Sequence, residues 1–143
     1  MLVVLAAATA CGGGGAPPAT IDDPTFVRQA NAVCRTTVPS LRAPDRKAPT
    51  TTALKPATIE ATADGLDAVA AKLRDIPVRD ADAGRVEAWL DDWDRFIAVG
   101  RRYAAAVKAN DEERYTKIDD EAVDLAQQIG RFAKGNGIDD CIL

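Results

Sequence analysis

The chain has 143 residues, enough for one domain with a substantial hydrophobic core, since domains of about 100–150 residues are the most common size. A formal net charge of −4, with no stripe of Lys and Arg, argues against a nucleic-acid partner, because such a surface needs clustered positive charge. The absence of histidine removes the usual general base and the commonest transition-metal ligand, so we expect no catalytic site, no metal and no cofactor.

The beginning of the chain has the pattern of an export signal. Residues 1–10 are apolar apart from Thr9 and end in small residues that lead into Cys11. This pattern is typical of the end of a secretory signal peptide. We interpret residues 1–10 as a signal-peptide remnant and Cys11 as the lipidated first residue of the mature protein, as in a bacterial lipobox. The alternative is a short apolar N-terminus on a cytosolic protein, with Cys11 an ordinary thiol.

Residues 11–21 form a predicted disordered tether. Four consecutive glycines follow Cys11 and are followed by Pro17 and Pro18, with no large apolar side chain to hold this stretch on a core. Such a tether would let a folded domain stand away from a membrane. We therefore expect the protein on the outer face of the cell membrane, bound to the membrane through its lipid anchor.

Residues 22–143 form the predicted bundle domain, which begins with two helices. Helix 1 should start near Asp22 or Asp23, with Pro24 in its first turn. Its predicted inward residues are Val27, Ala30, Cys34 and Leu41, flanked by Phe26, Val33 and Val38. The proline-rich stretch 42–56 is predicted to be a loop or an extended crossing. Helix 2 should run from about Ala57 to Ile76 and end at Pro77. Its predicted stripe is Ile59, Thr62, Leu66, Val69, Leu73 and Ile76.

The third helix is predicted to be the centre of the bundle. It should begin at Asp80 or Asp82 and end near Asn110. Steps of four and three residues separate its apolar members, which are Val86, Leu90, Trp93, Ile97, Gly100, Ala104 and Val107. A second column, Trp89, Phe96 and Tyr103, lies beside the first. The wide apolar stripe predicts neighbours on more than one side.

The fourth helix is predicted from about Asp111 to Lys134, with Gly135 as the left-handed residue after its last turn. Its apolar residues are Tyr115, Ile118, Ala122, Leu125, Ile129 and Phe132. The short connection at Asn110 makes helices 3 and 4 antiparallel neighbours. Because alanine is abundant and β-branched residues form no alternating runs, we predict an all-α protein, an antiparallel four-helix bundle.

Two cysteines remain when Cys11 is set aside. Cys34 and Cys141 form an even pair in a chain that the N-terminus directs out of the cytoplasm, so we predict a disulfide between them. The alternative is a redox pair, but catalytic dithiols usually lie close together in sequence, as in C-x-x-C.

Three short motifs resemble those of small cell-envelope lipoproteins of actinobacteria, which mostly have no known function. The motifs are residues 8–11 with the Gly/Pro tether, residues 30–34 in helix 1, and residues 137–141 at the end. The resemblance implies an envelope location and a disulfide, and implies nothing about a substrate.

Two acidic clusters are considered as metal sites. Asp91, Asp92 and Asp94 surround Trp93, and Asp119, Asp120 and Glu121 lie near the start of helix 4. A metal site inside a bundle needs carboxylates that point inward, but Trp93 and Ala122 take the inward positions. We therefore expect both clusters to face water.

The aromatic stripe of helix 3 provides the candidate ligand or partner surface. Its members are Trp89, Trp93, Phe96, Gly100 and Tyr103, although core packing explains the same spacing. Small residues at Gly100 indicate either a close helix crossing or a hollow beside Tyr103, and we favour the crossing. We expect a binding or interaction module whose partner could be an envelope protein. The alternatives are a carrier of a small apolar ligand, which a cavity near Gly100 and Tyr103 would favour, and an enzyme, which a buried carboxylate pair would favour.

Overall fold

A computed structural model describes residues 20–41 and 55–143. These residues contain four α-helices and one short 3₁₀ turn, and no strand. The helices are α1 (Pro24–Leu41), α2 (Pro56–Arg74), α3 (Asp80–Lys108) and α4 (Glu112–Gly135), and the 3₁₀ turn is Asp139–Cys141. The predicted signal remnant, the lipidated Cys11, most of the tether and most of the 42–56 crossing lie outside the described residues.

The helices pack as an antiparallel bundle, which confirms the predicted fold class. Each helix packs against its neighbour in sequence, and the 3₁₀ turn packs against both α1 and α4. Ion pairs show the direction, since Arg101 near the end of α3 binds Asp64 early in α2, whereas Arg74 at the end of α2 binds Asp94. Arg102 of α3 pairs in the same way with Glu121 of α4.

The start of α1 is fixed by the carboxylate of Asp23. Its Oδ1 accepts the backbone N–H groups of Thr25 and Phe26 at 3.0 Å, and its Oδ2 accepts the N–H of Arg79 at 3.0 Å. One side chain therefore caps α1 and fastens it to the α2–α3 connection. The hydrogen bond to Phe26 is the main reason that the pKa of Asp23 is lowered.

The buried face of α1 differs from the predicted one. The fully buried column is Phe26, Ala30, Cys34 and Val38. Val27, Val33 and Leu41 are only half-buried and pack at the edge of the core. Of the predicted inward residues, Ala30 and Cys34 are fully buried, whereas Val27 and Leu41 pack only at the edge of the core, because two neighbouring columns on this helix are apolar. Only the positions of α2 and the C-terminal tail decide which one is covered.

Helix α3 is the centre of the bundle, as predicted. Both predicted columns face neighbouring helices, and a third column, Asp92, Val99 and Ala106, is also buried. Val99 and Ala106 pack with Ile118 and Leu125 of α4. A helix with three buried columns holds its position firmly, because each large apolar side chain removed from water contributes about 1.5–3 kcal/mol.

Helix α4 extends one residue further than predicted. Gly135 is its last residue, and the left-handed residue is Gly137, with φ of 69°. The N–H of Ile138 bonds to the carbonyl of Ala133 at 2.8 Å, and the N–H of Gly137 bonds to that of Lys134 at 3.4 Å. These two bonds form a Schellman cap, which needs its glycine at this position. The prediction for Gly135 was therefore wrong by two residues.

The predicted disulfide joins Cys34 of α1 to Cys141 of the 3₁₀ turn. Their Cα atoms are 5.1 Å apart, and both side chains are fully buried. Asn31 supports the bond, since its amide donates to the carbonyl of Gly137 at 2.8 Å and its oxygen accepts the N–H of Asp140 at 3.0 Å. The tail therefore fills the gap between α1 and α4. None of the helices among the described residues has an apolar run long enough to cross a membrane.

Candidate ligand groove between α2, α3 and α4

An apolar groove opens between α2 and α4, with α3 as its floor, and we call it the α2–α4 groove. Its cavity volume is about 190 Å³. It lies along the first half of α2, the second half of α3 and the first half of α4. The residues that line it are Ile59, Thr62, Ala63 and Leu66 of α2, Phe96, Ile97, Val99, Gly100 and Tyr103 of α3, and Asp119 and Ala122 of α4.

The groove exists because of how the helices are arranged. Helices α2 and α4 both pack on α3, and within the described part of the chain they do not pack on each other. Small residues widen the space between them, since Ala63, Gly100 and Ala122 stand at positions where larger side chains would fill it. Core residues of α1 and of the tail belong to one cluster with Val86, Trp89, Leu90, Trp93 and Ile97 of α3.

The sequence left two alternatives at Gly100, a close helix crossing or a hollow beside Tyr103, and the structure contains both. A Cβ atom at Gly100 would lie 3.8 Å from the Cβ of Ala63, so α2 and α3 approach closely there. Beside this contact, towards Tyr103, lies the cavity. Close crossing was the favoured interpretation, and the hollow beside Tyr103 is nevertheless present.

The polar groups of the groove are few. Thr62 stands on the α2 wall and bonds back to the carbonyl of Thr58 at 3.0 Å. Tyr103 stands on the α3 floor, and its ring lies 5.9 Å from that of Tyr115. Burial, with smaller contributions from the charge of Asp119 and from Tyr115, raises the pKa of Tyr103. Its hydroxyl is therefore neutral at physiological pH, with the carboxylate of Asp119 close by.

The five candidate surface residues separate into two groups. Trp89 and Trp93 are 1% and 0% exposed and belong to the core, as their spacing also allowed. The indole N–H of Trp89 donates to the carbonyl of Ile129 at 3.3 Å, whereas that of Trp93 is buried without a partner among the described residues. Phe96, Gly100 and Tyr103 line the groove together.

Asp119 is the charged groove residue that sequence reasoning missed. It was assigned to a solvated acidic face because Ile118 and Ala122 mark the apolar stripe of α4. It is exposed, as expected, but it also borders the cavity. The available signal was that Asp119 lies close in sequence to Ile118 and Ala122 of the apolar stripe. This signal indicates a groove residue only when the position of α2, across the groove from α4, is known.

One carboxylate was predicted to face water and does not. Asp91 and Asp94 are exposed, but Asp92 is only 7% exposed and forms an ion pair with Arg95. Desolvation raises the pKa of Asp92, against the opposing effect of Arg95. The prediction was wrong because Asp92 lies on the third buried column of α3, together with Val99 and Ala106, which pack against α4. No group of three potential metal-ligating side chains occurs within 20–41 and 55–143.

A second cavity, of about 320 Å³, lies between the end of α2 and the start of α3. It is larger, but aliphatic side chains form most of its lining, and no aromatic residue lines it. Arg74, one of its two charged residues, already binds the carbonyl of Leu90 and the carboxylate of Asp94. We therefore consider the α2–α4 groove, with its aromatic rings and its carboxylate, the stronger candidate site.

Together the fold and the groove define a small, disulfide-linked helical bundle with an apolar groove at one end. No family model, curated protein or solved structure matches the chain.

Proposed function

We propose that this protein is a membrane-anchored extracytoplasmic lipoprotein that acts as a binding module, with the α2–α4 groove as its binding site. The groove carries this proposal. A bundle selected only for stability would fill the space, because lost apolar contacts around a void cost free energy. Here Ala63, Gly100 and Ala122 leave it open.

Two features support the extracytoplasmic location. The buried Cys34–Cys141 disulfide is a structural bond, and such bonds persist mainly in oxidising compartments. The small residues before Cys11 and the glycine tether after it provide the expected lipid anchor. The membrane would hold the lipid anchor, while the groove remains free for a partner in the envelope.

The size of the groove limits what it can hold. A cavity of about 150 Å³ binds benzene, whereas pockets for larger ligands usually measure about 300–1,000 Å³. At about 190 Å³, the groove accommodates one ring or one branched aliphatic group. That group could be an anchoring side chain of a protein partner. A carrier of a small apolar ligand is the second candidate function, favoured by the position of the cavity beside Gly100 and Tyr103.

The anchor can be tested by detergent-phase partitioning of the protein expressed in a bacterium with lipoprotein processing. The wild type should enter the detergent phase, and Cys11→Ala should move to the aqueous phase. Equal partitioning of the two would refute the lipid anchor.

The binding site can be tested by replacing Ile59, which lines the groove, with a photo-reactive aliphatic amino acid of similar size in native cells, so that the cavity stays open. Val123 of α4 is 37% exposed, does not line the groove and serves as the matched control position. An adduct formed only from position 59 supports the site. A protein adduct indicates an interaction module, and a small adduct indicates a carrier. Identical labelling from both positions, or no adduct from position 59, contradicts the proposed site.

A further inference from the structure

The charge that lines the α2–α4 groove is negative. Asp119 is the charged residue among those that line the cavity, and no lysine or arginine of the described chain lines it. A carboxylate beside an apolar cavity attracts a cation, and the attraction strengthens as water is displaced. The net charge of −4 adds a weaker long-range attraction of the same sign.

The carboxylate of Asp119 is left without a cationic partner in the described part of the chain. The two arginines that follow Gly100 pair elsewhere. Arg101 binds Asp64 and Asp67 of α2, both at 3.1 Å, and Arg102 binds Glu121 of α4 at 2.7 Å. Lys117 of α4 binds Glu113 at 2.8 Å. These three basic side chains, which are close in sequence to groove residues, therefore form ion pairs with carboxylates other than that of Asp119.

Aromatic rings stand in the same groove. Phe96 and Tyr103 lie two turns apart in the same column of α3 and line the floor of the groove. An organic cation within about 6 Å of an aromatic face gains about 0.5–2 kcal/mol. Because burial and the charge of Asp119 keep the hydroxyl of Tyr103 neutral, the ring adds no second negative charge and acts as a neutral aromatic face.

We propose that the α2–α4 groove binds a small organic ammonium ion, whose ring or branched alkyl group fills the cavity while its cationic nitrogen lies against Asp119 and Tyr103. This inference depends on the proposed function, since it names the ligand class of the same groove. The cavity volume restricts the apolar part to about the size of one benzene ring.

The test compares two probes, the cation benzyltrimethylammonium and the neutral benzyl alcohol. Each is titrated into the Cys11→Ala variant of the whole chain, which carries no lipid and is therefore the soluble form. Binding is followed by NMR shifts of the indole and backbone N–H groups. We expect the cation to bind about tenfold more tightly than the alcohol, which corresponds to about 1.4 kcal/mol. Asp119→Asn should lose this preference, and the neighbouring Asp120→Asn, also exposed but outside the groove, should retain it.

A filling variant, Ala122→Leu, should abolish binding of both probes while its circular dichroism spectrum remains helical. Equal affinity for the two probes, or equal losses in Asp119→Asn and Asp120→Asn, would overturn the inference. Absence of cation binding would also overturn it. The proposed function fails separately, when the photo-reactive residue at position 59 gives no adduct in cells, so the two failures are distinguishable.

Discussion

Removal of the disulfide should destabilise the bundle strongly while leaving its native structure in place. The perturbation is the double substitution Cys34→Ala and Cys141→Ala. The native tail keeps its other contacts, because Ile138 is fully buried and Asn31 still bonds to Gly137 and Asp140. The effect should therefore arise mainly in the unfolded chain, which loses a covalent constraint.

The magnitude follows from the length of the closed loop. The cysteines are 107 residues apart, and the loss of chain entropy on closing a loop of that length corresponds to about 4.7 kcal/mol. Measured values are usually about 2–4 kcal/mol, so we expect a loss in that range. With an unfolding entropy of about 2.1 cal/mol/K per residue, a loss of about 3 kcal/mol lowers the Tm of the roughly 120-residue bundle by about 12 °C.

The assay is urea denaturation of the soluble domain, followed by circular dichroism. The reduced wild type is the matched control, because it retains both sulfur atoms and isolates the covalent bond from the loss of side-chain packing. The double variant and the reduced wild type should lose similar free energies of unfolding. A loss below about 1 kcal/mol in both would refute the reasoning from chain entropy.

Three further predictions concern single residues. Gly84→Ala should stabilise the protein by about 0.5–1 kcal/mol, because a Cβ there meets nothing within 4 Å. Gly65→Ala should gain less when the two variants are compared by thermal melts, since its Cβ would lie 2.8 Å from Cδ2 of Leu41. An equal gain would contradict this. Burial raises the pKa of Asp92, so ionisation in the fold opposes stability as pH rises above about 4, and Asp92→Asn should raise the Tm at pH 7 but not at pH 3. A backbone hydrogen bond lowers the pKa of Asp23, so its contribution is present at neutral pH and lost as pH falls below about 4. Asp23→Ala should accordingly lower the Tm more at pH 7 than at pH 3, and a loss independent of pH would argue against an ionised cap.

The sequence by itself determined the helices. The spacing of apolar residues and the capping residues placed α2, α3 and α4 to within about two residues, because helix ends depend on local groups such as Asp111, whose side chain accepts the N–H of Arg114 at 3.1 Å. The sequence also determined the central position of α3, since its apolar stripe is too wide for one neighbour. It determined the pairing of Cys34 with Cys141 as well, because these two cysteines remain when Cys11 is set aside.

Only the tertiary structure decided which faces are covered and which remain open. The periodicity of α1 did not distinguish Phe26 from Val27 as the inward column, and that of α3 did not show that Asp92 is buried. The groove depends on the fact that α2 and α4 pack on α3 without packing on each other, which brings Asp119 to the same cavity as Tyr103. Apolar residues that recur at steps of three and four show that one face of a helix is apolar. The distance between two helices that do not adjoin is set by all the side chains between them, and that distance creates the groove.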